Sequence, residues 1–213
     1  IGSANSTAPG GIINVLGGAV VLNADGTFIF YPAAGFSNTS AFFYYTITGG
    51  DTAEVEIAIQ NQELVWFVDN TPTPPTAPFS CLASFTGTQA CPAPDLVTVS
   101  AVDTADDTIF IAQGTYTCPI TLQAGENIVG DGSSSSIATV SGVTPVAGSA
   151  FPTLSDEDPV LSGTASDCIT LATNNSLYGF TIGNTGNFVG VNGNNFGLLT
   201  VEDMTINGTG QTV

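Results

Sequence analysis

Residues 168–210 read CITLATNNSLYGFTIGNTGNFVGVNGNNFGLLTVEDMTINGTG, and the stretch repeats itself. Thr181-Ile-Gly-Asn-Thr-Gly186 returns as Thr205-Ile-Asn-Gly-Thr-Gly210, 24 residues later, and Asn174-Asn175 returns as Asn194-Asn195, 20 residues later. Each unit carries one or two short β-prone runs broken by Gly and Asn. A period of about 20–24 residues with this content is the mark of a solenoid, whose units stack to bury one continuous core. Stacked coils place equivalent residues one strand spacing apart, about 4.8 Å, so recurrent Asn side chains are expected to form a hydrogen-bonded ladder.

The same texture begins near Ala101, with Thr108–Ile111, Ile120–Leu122 and Asn127–Gly130 as short strands. Leu177–Ile182 and Leu198–Ile206 read as later ones. Upstream the pattern differs. Ile12–Leu16, Ala19–Leu22, Thr27–Tyr31, Ala41–Thr48 and Ala53–Gln60 alternate with period two, and Asp25-Gly26 and Gly49-Gly50-Asp51 supply hairpin turns. Such alternation sends half of the aromatic residues to the core. No stretch has sustained helical periodicity. The chain therefore divides into an antiparallel module over residues 1–62, a connection over 63–100 and stacked coils over 101–213. The connection holds a strand with the sole Trp, a stiff Pro/Thr run at 70–78 and the Cys81/Cys91 loop.

Composition sets the chemistry. The 213 residues contain no Lys, Arg or His against 18 Asp and Glu, for a formal charge of −18. Phosphate neutralisation, P-loops, Ser-His-Asp triads, Schiff bases and His-ligated zinc all need a side chain that is missing. An anionic membrane surface would repel the chain, and no apolar run is long enough to span a bilayer. No signal-peptide pattern opens it. One explanation for the missing bases is an acidic habitat, where protonated carboxyls relieve self-repulsion. Resistance to proteases that cut after Lys or Arg is another, and selection of a fragment by cleavage a third. Cys81, Cys91, Cys118 and Cys168 form an even set in a Gly/Ser/Thr/Asn-rich chain, which suits export and disulfides. Of the three pairings, Cys81–Cys91 with Cys118–Cys168 is favoured.

Two resemblances sharpen this reading. GGAVVLNADGTFIFYPAAGFSNTSAFFYYTITGGDTAEVEIAIQ, residues 17–60, resembles the last strands of bacterial Ig-like, cadherin-like modules that repeat in large surface proteins. Asp is usual in that family where Ser40 or Ala41 falls. From residue 64 on, VWFVDN, DTADDTIFIAQGTYTCPITLQAGENIVGDG and CITLATNNSLYGFTIGNTGN are similar to the pectate-lyase-like right-handed parallel β-helix of bacterial adhesins. Tyr178 and Asn127 stand where a basic residue is common there. The implied fold is all-β, a partial Ig-like β-sandwich followed by a right-handed parallel β-helix. Family lyases use an Arg base beside calcium, and family hydrolases use clustered Asp with His and basic groups. Without those residues the helix is expected to be scaffold rather than enzyme.

Candidate sites are few. Asp103, Asp106 and Asp107 place three hard oxygen ligands within five residues and form a candidate calcium site. Asp156-Glu157-Asp158 and Glu202-Asp203 are the other acidic clusters. No cofactor beyond calcium is expected. Asp25 and Asp131 precede Gly and read as turn residues. Asn5, Asn38, Asn174 and Asn207 open N-x-S/T sequons. The expected function is a structural segment of an extracellular, cell-surface fibre or giant adhesin, self-associating through sheet edges or coil ends. Glycan or host binding is the alternative. A carboxylate-only glycan hydrolase is a third reading. Nucleic acid is not an expected partner.

Overall fold

A computed structural model describes residues 11–36, 39–46, 49–59, 64–71, 86–145 and 149–207. The fold is all-β, and its described elements fall into two compact units. The first holds β1 (Ile12–Val15), β2 (Gly18–Leu22), β3 (Phe28–Pro32), β4 (Thr39–Thr46) and β5 (Thr52–Ile59). β1, β2 and β3 pair antiparallel in that order, and β4 pairs antiparallel with β5. Alternation along β4 buries Ala41 and Phe43 and turns Phe42 and Tyr44 outward. Phe43 meets Phe28 edge to face, with ring centroids 5.0 Å apart.

The second unit is a parallel coil stack. Its strands are β6 (Val65–Val68), β7 (Thr108–Ile111), β8 (Thr115–Thr117), β9 (Ile120–Thr121), β10 (Asn127–Gly130), β11 (Val160–Ser162), β12 (Ile169–Thr170), β13 (Ser176–Tyr178), β14 (Thr181–Ile182), β15 (Val191–Asn192), β16 (Thr200–Glu202) and β17 (Thr205–Ile206). Three parallel sheets result, in the orders β6-β7-β10-β13-β16, β8-β11-β14-β17 and β9-β12-β15. The three coils β7–β9, β10–β12 and β13–β15 each give one strand to each sheet, which is the plan of a parallel β-helix. The 24-residue repeat is a physical register, because Thr181 lies against Thr205 and Ile182 against Ile206.

Inward positions form apolar columns. Trp66, Ile109, Ile128, Leu177 and Val201 stack through the first sheet. Tyr116, Leu161, Ile182 and Ile206 stack through the second, and Ile120, Ile169 and Val191 through the third. The first sheet is also covered outside. Phe67, Phe110 and Val129 pack there with Ile137 of helix α2 (Ile137–Ser141), beside Phe151, Leu154 and Tyr178. All four residues of β7 are therefore buried. Tyr178, where the resembling family commonly has a base, belongs to this outer apolar layer.

Three details differ from the sequence reading. The run Leu177–Ile182 is two strands, because Gly179 takes φ +65° and turns the chain at a coil corner. A Cβ there would lie 2.0 Å from the Ser133 backbone nitrogen. Leu198–Ile206 is likewise broken, at Asp203, with φ 52°. Two helices of five residues form where no long periodicity exists. In α1 (Leu96–Ser100) the Asp95 side chain caps the Thr98 amide, and in α2 Ser136 caps Thr139. Finally, β6 and α1 lie within the range read as a connection, yet β6 pairs in parallel with β7 and both belong to the coil unit.

Cys118 and Cys168 form a disulfide with Cα atoms 4.7 Å apart, as the sequence suggested. Cys91 is also disulfide-bonded, and Cys81 lies outside the described residues.

Candidate functional site

The most elaborately built polar feature is a column of buried side chains at one corner of the coil stack. It arises from a turn that recurs before three strands of the first sheet, β7, β10 and β13: Thr104-Ala-Asp-Asp107, Gln123-Ala-Gly-Glu126 and Ala172-Thr-Asn-Asn175. The third residue of each turn is left-handed, with φ of 69° at Asp106, 74° at Gly125 and 60° at Asn174. Asp, Gly and Asn tolerate that conformation best. The fourth residue folds its side chain back on the first. Asp107 Oδ2 accepts from the Thr104 amide at 2.9 Å, Glu126 Oε2 from the Gln123 amide at 2.8 Å and Asn175 Oδ1 from the Ala172 amide at 2.7 Å. The strand register stacks these three residues on successive coils.

Bonds also run between coils. Asp107 accepts from the Leu64 amide at 3.1 Å and from Trp66 Nε1 at 2.8 Å on the coil before it. Asn175 Nδ2 donates to the carbonyls of Gln123 and Glu126 at 2.7 and 3.0 Å. All three side chains are buried. The column thus replaces the expected Asn ladder. Asn194-Asn195 does not join it, because Thr200 aligns with Ser176 and places that pair earlier in the coil. Asn195, with φ 59°, is a turn residue instead. Asn175→Ala should leave the Ala172 amide without its acceptor and cost about 1–3 kcal/mol, read by urea unfolding.

Asp103 adds the unusual element. It is 8% exposed, and no amide or hydroxyl donor reaches either of its oxygens. Glu126, fully buried beside it, has Oε1 in the same condition. A proton on Glu126 satisfies Oε1 and one of the two Asp103 oxygens, since the protonated acid donates to the Asp103 carboxylate. Burial pushes the Glu126 carboxyl up to about 9, against the Gln123 amide, with the negative Asp103 and Asp107 adding to the rise. Burial also raises Asp103, partly offset by the bond from Glu126 and reinforced by Asp107. Nothing basic exists in the chain to neutralise the cluster, so proton sharing is the available solution.

This geometry redistributes the candidate calcium ligands. Asp107 is saturated by Leu64, Trp66 and Thr104, Asp103 faces Glu126, and Asp106 lies exposed at the left-handed turn position. Among the described residues, no group of three or more His, Cys, Asp or Glu is arranged to hold a metal ion. Glu126 escaped the sequence reading. The signal was present in the three turns, each ending in Asp, Glu or Asn directly before a strand.

The remaining acidic clusters tie coils together. Asp203 accepts from the amide and hydroxyl of Ser134 at 2.9 and 2.6 Å, and Asp158 from Thr181 Oγ1 at 2.8 Å. Glu157 accepts from Gln113, and Asp131 from the amide and hydroxyl of Ser155. Asp131 also borders an open cleft of about 220 Å³ with Asp69, Gln89, Phe67 and Phe110.

Residues 82–212 match the model of a family described as "Protein of unknown function (DUF1565)". No curated protein and no solved structure matches the chain. The matched span covers more than half of the sequence and holds every coil from β7 onward, together with the Asp107–Glu126–Asn175 column. The chain therefore belongs to the DUF1565 family.

Proposed function

We propose that this chain is a non-catalytic structural segment of an extracellular surface fibre or giant adhesin, joined to further copies through coil ends and sheet edges. The observation that carries the reading lies in the antiparallel unit, where, among the described residues, β4 and β5 pair only with each other and each keeps an open edge. An unpaired strand edge is a template for adding another β-strand. The resemblance of residues 17–60 to Ig-like surface modules, the absence of basic side chains and the disulfide all favour an exported protein of this kind.

Sedimentation velocity and negative-stain microscopy test the reading. The chain should form rods that lengthen with concentration. Monodisperse monomers of the unsubstituted chain at high concentration would overturn the proposal.

The cleft supports a second reading, binding of a neutral glycan. Phe67 and Phe110 give it an apolar floor, and Asp69, Gln89 and Asp131 surround it with groups suited to sugar hydroxyls. A glycan array without hits would remove this alternative.

A further inference from the structure

We infer that the outward face of the β4–β5 hairpin is a docking surface for an extended cationic peptide segment of another protein. Two rows meet on that face in register. Phe42 lies opposite Glu56 and Tyr44 opposite Glu54. Phe42 is 43% exposed, Tyr44 is 57% exposed, and both glutamates are exposed. Each aromatic ring thus has a carboxylate as its cross-strand neighbour, about 4.5–5.5 Å away at Cβ. Ser40 Oγ donates to Glu56 Oε1 at 2.8 Å and steadies one carboxylate. The Glu54 carboxylate beside Tyr44 raises the phenol above its ordinary value.

An aromatic face beside a carboxylate suits a Lys or Arg side chain, which gains a cation–π contact and an ion pair together. Two such pairs stand two residues apart, about 6.7 Å along the strand, the spacing of same-side residues in an extended peptide. Charge identifies the occupant as a different molecule. This chain has no Lys, Arg or His, so neither its own segments nor a second copy can supply the complement. The surface therefore extends the structural role proposed above, by recruiting a basic partner to the scaffold.

Fluorescence anisotropy of a labelled peptide alternating Arg and Thr, titrated with the full chain, tests the inference. Binding is expected, weakening as salt rises. Phe42→Leu/Tyr44→Leu, which keeps apolar side chains but removes both rings, should weaken it about tenfold. Glu54→Gln/Glu56→Gln should weaken it at least as much. Removing a comparable acidic cluster elsewhere, with Asp156→Asn/Glu157→Gln/Asp158→Asn, should change affinity less than twofold. No binding would overturn the inference. So would unchanged affinity in the ring variant, or an equal loss in the Asp156→Asn/Glu157→Gln/Asp158→Asn variant, which would mark general attraction to a negative protein.

Discussion

The free energy of unfolding should fall as pH rises from 4.5 toward 9, by about 1.4 kcal/mol per pH unit for the proton that Glu126 retains. The sign follows from the direction of the shift. The unfolded chain releases this proton near the ordinary value of 4.5, whereas burial holds it in the folded chain up to about 9. The folded state binds the extra proton throughout that window. Its stabilisation is complete below the window and lost as pH climbs through it. Asp103 moves the same way, because burial raises it too. Asp25 and Asp203 act oppositely. Bonds from Thr27 and Ser134 hold them below ordinary values, so their contribution is lost as pH falls, but both are at the surface and screened by solvent. The general repulsion of a −18 chain relaxes on acidification and works with Glu126. Glu126→Gln separates the two effects. An amide mimics the protonated acid: its oxygen accepts from Gln123 and its NH₂ donates to Asp103. The variant should match the original chain at pH 4 and exceed it at pH 8 by several kcal/mol in urea unfolding. Equal stability at both pH values would show that the buried proton has no role. The chain should also remain folded at pH 2, and unfolding there would sink the acidic-habitat explanation for its missing bases.

Removing the Cys118–Cys168 bond should cost about 4 kcal/mol, the loop-closure value for the 50-residue separation it spans. The bridge joins two adjacent coils at one corner. Ile120 pairs with Ile169, and the Ile120 amide donates to the Cys168 carbonyl at 2.8 Å. Between the two cysteines the chain leaves the sheets from β10 to β11, a stretch that carries α2 together with Phe151 and Leu154 onto the outer face of the first sheet. The disulfide fixes the register of β9 and β12 across that excursion, which local turns alone would leave entropically expensive. Cys118→Ala/Cys168→Ala should lower the midpoint of urea unfolding accordingly. A loss below about 1 kcal/mol would mean that core stacking alone sets the register.

The coil repeat was legible because a parallel stack forces equivalent residues into equivalent environments. Thr181-Ile182 and Thr205-Ile206 must look alike to sit in one column. The paired Asn residues misled for a related reason. Asn is favoured both in ladders and at left-handed turn positions, and composition does not distinguish the two uses. The corners at Gly179 and Asp203 were invisible as breaks because β-prone residues continue on both sides of them. The calcium reading rested on Asp103, Asp106 and Asp107 being close in sequence. The left-handed turn at Asp106 separates the environments of its neighbours, sending Asp107 to Trp66 and Asp103 to Glu126.

By itself, the sequence determined the chemistry this protein lacks, the all-β fold and the coil period, while for Cys118–Cys168 it only favoured one of three pairings. What it determined follows from residue inventory, short-range periodicity and turn preferences, all local properties of a chain. Tertiary structure alone decided which acids meet. Glu126 and Asp103 are 23 residues apart in the chain and become neighbours only when one coil stacks on another. Stacking excludes water from both carboxyls at once and so raises both, and no local pattern encodes a desolvation that two distant segments create together.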